Sequence, residues 1–443
     1  MRIQLSDHFT YSKLIRFTLP SIGMMIFTSI YSIVDGFFVS NFVGKTSFAA
    51  VNFIFPFLMV IGAIGAMIGT GGSALIAKTL GEGKKEKANE LFSFFTLLTF
   101  LTSVAVAFIA FFFIRPMAAW LGAEGEMLDD CVVYGRILLC SMPAMMMQFQ
   151  FQSFFITAEK PKLGLVVTVL AGVTNMVLDA LLVAIIPMGI VGAAIASAAS
   201  QYVGGLVPIF YFARPNDSIL RFKKPKFDGK ALVRACTNGF SEFLSSITMS
   251  FVSMLFNVQL MKYAGENGVA AYGVVMYVNM IFMSAFIGYA TGTAPIVGFH
   301  YGAQNHDELK NLLKKSLVII GIVSVAMLAA AELLARPLSM LFVSYDEALL
   351  ALTLRAFIIF SISFLFCGLG IYASSFFTAL NDGFVSAAIS FLRTVVFQVA
   401  AVIIFPLLWG IDGIWASVVF AELAGTIVGV AFWIGKRKKY QYW

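Results

Sequence analysis

The chain has 443 residues, 60% of them hydrophobic and only 12% charged, and a formal net charge of +7. Its mean hydropathy is +0.91. No water-soluble domain of this length buries that much apolar surface, so composition excludes a soluble protein and requires a multi-pass membrane protein.

A spanning helix needs about 20 mostly apolar residues. Runs of that length recur along the chain, parted by short polar segments. We read twelve, near 14–40, 47–78, 91–114, 133–158, 163–187, 190–213, 234–262, 269–299, 312–335, 349–379, 384–408 and 411–435. The alternating ten-residue strands of an outer-membrane barrel have no counterpart. The first run starts late and lacks a small-residue cleavage site, so it reads as a span and not as a leader.

The first span carries a carboxylate, Asp35, within YSIVDGFFVS (31–40). A charge inside a span costs about 2.5–3.5 kcal/mol on insertion scales, so it is expected to face an interior and to carry function. The plain alternative is a helix-end acid reaching the interface. The fourth span carries Met145, Met146 and Met147 beside Gln148 and Gln152, which share a helix face. Such a stretch suits an adaptable lining for bulky ligands, although ordinary packing is the commoner fate of any one Met.

The fifth span reads TNMVLDALL, with Asn175 one turn before Asp179. The sixth adds Ser197 within GAAIASAAS. Amide, hydroxyl and carboxylate oxygens suit a small hard cation, and two nearby acids could equally exchange it for a proton. Asp35 and Asp179 are the sodium candidates. Interhelical hydrogen bonding is the simpler reading of Asn175 and Ser197.

A basic segment with Pro215, Pro225 and Gly229 follows, and we place a linker at 214–233 between an N-terminal lobe (1–213) and a C-terminal lobe (234–443). The second half holds Glu242, Asn257, Glu332, Arg393 and Glu422 inside spans. Asn257 and Arg393 are candidates for the substrate cavity, with Met145, Gln148 and Gln152. An internal ion pair with Glu242 or Glu422 is the favoured reading of Arg393. Four scattered cysteines and three histidines form no disulfide framework and no zinc spacing. No G-x-x-x-x-G-K-[ST] loop is present, and no nucleophile or metal constellation suggests an enzyme or a cofactor.

Most of the 30 Lys and Arg fall in alternate loops: 78–87, Lys160 and Lys162, 214–234, 310–315 and 436–439. Arg115, Arg136, Lys262, Arg336 and Arg355 are among the few on the other side. This asymmetry predicts both termini in the cytoplasm, and it makes the net charge a topology signal with no nucleic-acid partner.

The chain also repeats itself. Slid by 221 residues, FAAVNF (48–53) falls on VAAYGV (269–274), Gly71 on Gly292 and Gly81 on Gly302. SFFITA (153–158) falls on SSFFTA (374–379), and MGIVGAAIAS (188–197) on WGIDGIWASV (409–418). Six spans per repeat return the chain to its starting side. The expected fold is therefore an all-α integral membrane protein, twelve transmembrane helices in two parallel six-helix bundles related by a pseudo-two-fold along the membrane normal. Asp35 falls on Phe256 and Asp179 on Ala400, so the acids belong to one repeat only.

LPSIGMM and YSIVDGFFVSNFVG in the first span, then AVNFIFPFL, ALIAKTLGEG, TNMVLDALL, GIVGAAIAS, GTAPIVGFHYGA and SSFFTAL, resemble the multidrug and toxic compound extrusion (MATE) family in order and spacing over nearly the whole chain. Pro20, Pro56 and Pro295 stand where that family tends to have prolines. The resemblance implies efflux of cationic or amphipathic compounds against inward Na⁺ or H⁺ across a prokaryotic plasma membrane, through two lobes around a central cavity. In the DNA-damage-inducible branch it implies a cation site from a helix 1 Asp, a helix 5 Asn and Asp, and a helix 6 Thr. Asp35, Asn175 and Asp179 match these, and Ser197 stands at the Thr position. The helix 4 polar residue of that site is not placed, and Glu242 is not where the vibrio-type branch has its helix 7 acid.

The expected function is a secondary multidrug antiporter that works as a monomer. A flippase for lipid-linked precursors or oligosaccharides is the alternative, and it would need a more cationic cavity. An intramembrane transferase would need an acidic metal motif at a membrane edge, and none is found.

Overall fold

The computed structural model describes residues 3–120, 122–343 and 346–443. All regular elements among them are helical. The first helix, α1, spans Tyr11–Val43, its start fixed by Thr10, whose hydroxyl accepts the Lys13 amide. Then come α2 (Lys45–Gly81), α3 (Lys85–Trp120), α4 (Gly125–Thr157), α5 (Pro161–Ile185) and α6 (Gly189–Ala213).

A continuous stack of 74 residues, Gly229–Gly302, follows. At 1.5 Å per residue it would be about 110 Å long, several times a bilayer core of about 30 Å. The stack breaks at Gly265, with φ 62° and ψ −149°, which divides it into α7 (229–264) and α8 (266–302). Gly44 lies 221 residues earlier, between α1 and α2, with φ 122°. The left-handed turn that only glycine adopts easily thus recurs at the same place in both repeats.

The second half continues with α9 (His306–Val343), α10 (Glu347–Ser361 and Phe364–Ala379, bent by 47° at the break), α11 (Gly383–Trp409) and α12 (Ile411–Tyr440). With the stack divided and the bent pair counted once, the helices make the twelve spans read from hydropathy. Several outrun their apolar stretches. The run at 91–114 lies within α3, because backbone hydrogen bonding continues into the polar turns beyond the apolar core.

The first helix of each repeat also packs against the other repeat. Leu5, Phe9, Leu14, Phe17 and Met24 pack into the core built mainly by α8–α12. Ala231 and Ala235 of α7 join a core of α2, α3, α4 and α6. The segments preceding these helices cross over in the same sense. The Phe9 amide donates to Glu308 Oε1 (2.9 Å) and His8 Nδ1 lies 2.6 Å from Glu308 Oε2. On the other side, Lys87 pairs with Asp228 (3.4 Å) and Lys226 with Glu90 (2.6 Å).

The non-helical connector runs 214–228, shorter than the expected linker because Asp228 caps α7 by accepting the Ala231 amide (3.0 Å). It is strapped to α3. Leu220 is buried, Phe222 stacks on Phe92 at 4.9 Å, and the Arg221 amide donates to Asn89 Oδ1 (2.9 Å).

Candidate functional site

Two widened turns set the site. A π-helical turn at Val39–Val43 follows Asp35 by one turn, and another at Ala180–Ile185 begins directly after Asp179. Such turns interrupt regular packing and are frequent at functional positions. They leave Asp35 of α1 facing Asn175 and Asp179 of α5.

Ser197 of α6 donates from its hydroxyl to Asp35 Oδ1 at 3.4 Å. Asp179 and Asn175 are also close neighbours of Asp35. The four expected cation-site residues, drawn from three helices, therefore converge. Asn175 is 2% exposed and Asp179 fully buried. Asn175 Oδ1 and both Asp179 carboxylate oxygens are buried with no hydrogen-bond partner among the described residues.

A buried carboxylate without a partner is costly, and two acids this close do not both remain charged unless a cation lies between them. The oxygen donor set fits a proton or a hard monovalent ion. Among the described residues no group of three or more His, Cys, Asp and Glu could hold a metal ion.

Sequence reading missed Tyr134 of α4. Its side chain is buried in the neighbourhood of Ser197 and both acids. The available signal was a lone tyrosine near the start of a span, but such residues also serve as interfacial anchors.

The expected cavity residues fare differently. Met145 and Gln148 are 3% and 6% exposed and sit inside the first lobe, where Met145 Cε fills the space left by Gly62. Gln148 and Gln152, with Thr168 and Gly204, line an internal cavity of about 10 Å³. That volume holds one water and no drug, so packing is the role the geometry gives the Met and Gln cluster.

Arg393 is likewise interior. Its Nη1 donates to Glu422 Oε1 (3.2 Å) and Oε2 (3.1 Å), and Gly370 and Gly425 make room for its stem. The ion pair inferred for it is present, with Glu422 as the partner. Glu242 is exposed on α7, within electrostatic reach of Arg393, and Asn257 is half-buried.

The second repeat has no acid pair. At the counterpart of Asp35, Phe256 is buried and stacked on Tyr272 at 5.3 Å, with Trp415 a further 6.4 Å along. An aromatic ring thus stands where the first repeat has the Asp35 carboxyl, and Ala400 stands at the counterpart of Asp179.

Two six-helix repeats, one of which brings Asp35 and Asp179 together, define a polytopic α-helical membrane protein. The MatE family model matches residues 20–181 and again 243–404, once in each repeat. The chain belongs to the MatE family. It is 24% identical over 417 residues to "Multidrug export protein MepA" of Staphylococcus aureus (strain MRSA252), covering 93% of this chain and 91% of that protein. It is 25% identical over 419 residues to the protein of that name from Staphylococcus saprophyticus, with the same coverage. Among solved structures it is similar to "Crystal structure of MATE in complex with MaL6", with TM-score 0.93, 24% identity and 98% of each chain covered. It is also similar to "Outward-facing conformation of a multidrug resistance MATE family transporter of the MOP superfamily", with TM-score 0.92, 24% identity, and 98% of this chain and 97% of that one covered.

Proposed function

We propose that this protein is a secondary active exporter that moves cationic, amphipathic small molecules out of the cell in exchange for inward Na⁺ or H⁺. The single observation behind this reading is the set of unpartnered buried oxygens on Asn175 and Asp179, facing Asp35, in one lobe only. A binding site of that chemistry, absent from the repeat that otherwise mirrors it, supports an ion-coupling role.

In this reading Asp35, Asn175, Asp179 and Ser197 take up the coupling ion from outside, and α1 and its neighbours rearrange. The cleft between the lobes then releases its substrate outward. The lobes rock to face the cytoplasm, and the ion leaves there. Coupling requires that ion and substrate favour different states. The protein works as a monomer in a prokaryotic plasma membrane with both termini cytoplasmic, consistent with the basic residues gathered at the end that carries both chain termini. A flippase for phosphate-bearing lipids would need free cations in the membrane interior, and Arg393 is neutralised by Glu422.

The test is dye transport in membrane vesicles under an imposed Na⁺ gradient and then an imposed pH gradient. Transport driven by one gradient and lost in Asp35→Asn and Asp179→Asn is the expected result. Full gradient-driven transport by those variants would remove the site, and no transport of any of several cationic dyes would remove the exporter.

A further inference from the structure

A wide-mouthed cavity of about 630 Å³ lies between the first turns of α7 and the α10–α11 turn. It sits at the end of the molecule that carries both chain termini. Lys230, Arg234 and Asn238 line it from α7, and Asn381, Asp382 and Phe384 from the turn. Lys230 and Arg234 are four residues apart and so share one face of the helix.

Several cations at this end pair with acids: Lys87 with Asp228, Lys226 with Glu90, Lys160 with Asp217 and Lys223 with Glu86. Lys230 and Arg234 are exposed, and neither side chain has an ion-pair or hydrogen-bond partner among the described residues. The one acid in the lining, Asp382, is already engaged. Tyr440 donates its hydroxyl to it at 2.6 Å, and Lys439 Nζ lies 3.6 Å away. The cavity is therefore left with two free positive charges.

Its rim is apolar. Val233 is 63% exposed and Phe384 82% exposed, and Phe227, against Gly229, is 81% exposed. Large apolar groups bared at the end of a spanning helix belong beside lipid chains.

In the first repeat the corresponding elements, the start of α1 and the α4–α5 turn, are bridged by the chain itself. The Leu5 amide donates to Glu159 Oε1 (2.8 Å), and Asp7 neutralises Lys13, the counterpart of Arg234. The segment before α7 crosses to α3 of the other lobe, as the segment before α1 crosses to Glu308 of α9, and the cavity lies beside its end.

We infer that this cavity binds the headgroup of an anionic phospholipid, with its phosphate between Lys230 and Arg234 and its acyl chains along Val233 and Phe384. A guanidinium fork matches two phosphate oxygens, and a basic pocket at a helix end is the usual form of such sites.

The test uses the full-length protein in detergent and native mass spectrometry with phosphatidylglycerol, phosphatidylcholine and soluble glycerol 3-phosphate. Wild type is expected to retain phosphatidylglycerol in preference to phosphatidylcholine. In Lys230→Gln/Arg234→Gln that preference falls about tenfold or more. Arg437→Gln/Lys438→Gln, which removes two cations of the same end outside the cavity, keeps it. Equal phosphatidylglycerol retention by wild type and the cavity variant, or an equal loss in the tail variant, overturns the site. Glycerol 3-phosphate binding as tightly as the lipid overturns the lipid assignment.

Discussion

Gly81 and Gly302 hold the same place in the two repeats and close the same seam. A Cβ on Gly81 would collide with the Phe299 carbonyl, and one on Gly302 with the Lys78 carbonyl. Phe299 and Lys78 are themselves 221 residues apart, so this is one contact made twice across the pseudo-two-fold axis.

Because backbone meets backbone there, no side-chain adjustment can relieve a larger residue. Gly81→Val and Gly302→Val should each abolish dye transport while the protein still reaches the membrane. Gly321→Ala, whose added Cβ meets nothing within 4 Å, should leave transport unchanged. Wild-type rates in either seam variant would show that this contact does not have to form during transport.

Removing the hydroxyl of Ser197 should weaken the proposed ion site without destroying it. It donates to Asp35 Oδ1, and one hydrogen bond contributes about 1 kcal/mol, so Ser197→Ala is expected to raise the half-saturating concentration of the coupling ion roughly fivefold. Ser197→Thr should retain activity because the hydroxyl remains, and Tyr134→Phe should have a smaller effect. Transport rates measured against coupling-ion concentration give these constants directly.

The Arg393–Glu422 pair should behave as buried pairs do. Arg393→Ala or Glu422→Ala leaves a lone charge among apolar groups and should cost about 3–5 kcal/mol. Arg393→Met with Glu422→Leu should recover most of that loss. Thermal unfolding in detergent compares the three. A double variant as unstable as the singles would mean that the pair does more than neutralise itself.

At the connector, the Asp228 carboxyl is held below the usual range by the Ala231 amide it caps, with Lys87 adding to the effect. A depressed carboxyl adds stability above its unfolded value of about 3.9, and this is lost as pH falls through the lower folded value. Asp228→Ala should cost about 1 kcal/mol and Asp228→Asn less, since an amide oxygen still caps. The Asp228→Ala deficit should shrink in unfolding curves taken below pH 4.

Much of this was legible in the amino-acid order. Hydropathy marks twelve runs because the bilayer tolerates little else over about 20 residues. The acids stand out for the same reason, and the turn between Asn175 and Asp179 is local geometry. What could not be read was which way each helix faces. Gln148 and Met145 carry the composition of a drug cavity, yet they point into the first lobe. Tyr134 has no sequence neighbour that marks it as lying beside Asp35 and Asp179.

The sequence by itself determined the membrane class, the two repeats and the confinement of Asp35 and Asp179 to the first of them. Each follows from local composition or from comparing the chain with itself. Only the tertiary structure decided that Arg393 pairs with Glu422 and that Tyr134 lies beside Ser197, Asp35 and Asp179. It also decided that the connector crosses to α3 and leaves a basic cavity behind it. Those outcomes depend on the rotation and approach of helices far apart in the chain, and packing sets these where local pattern does not.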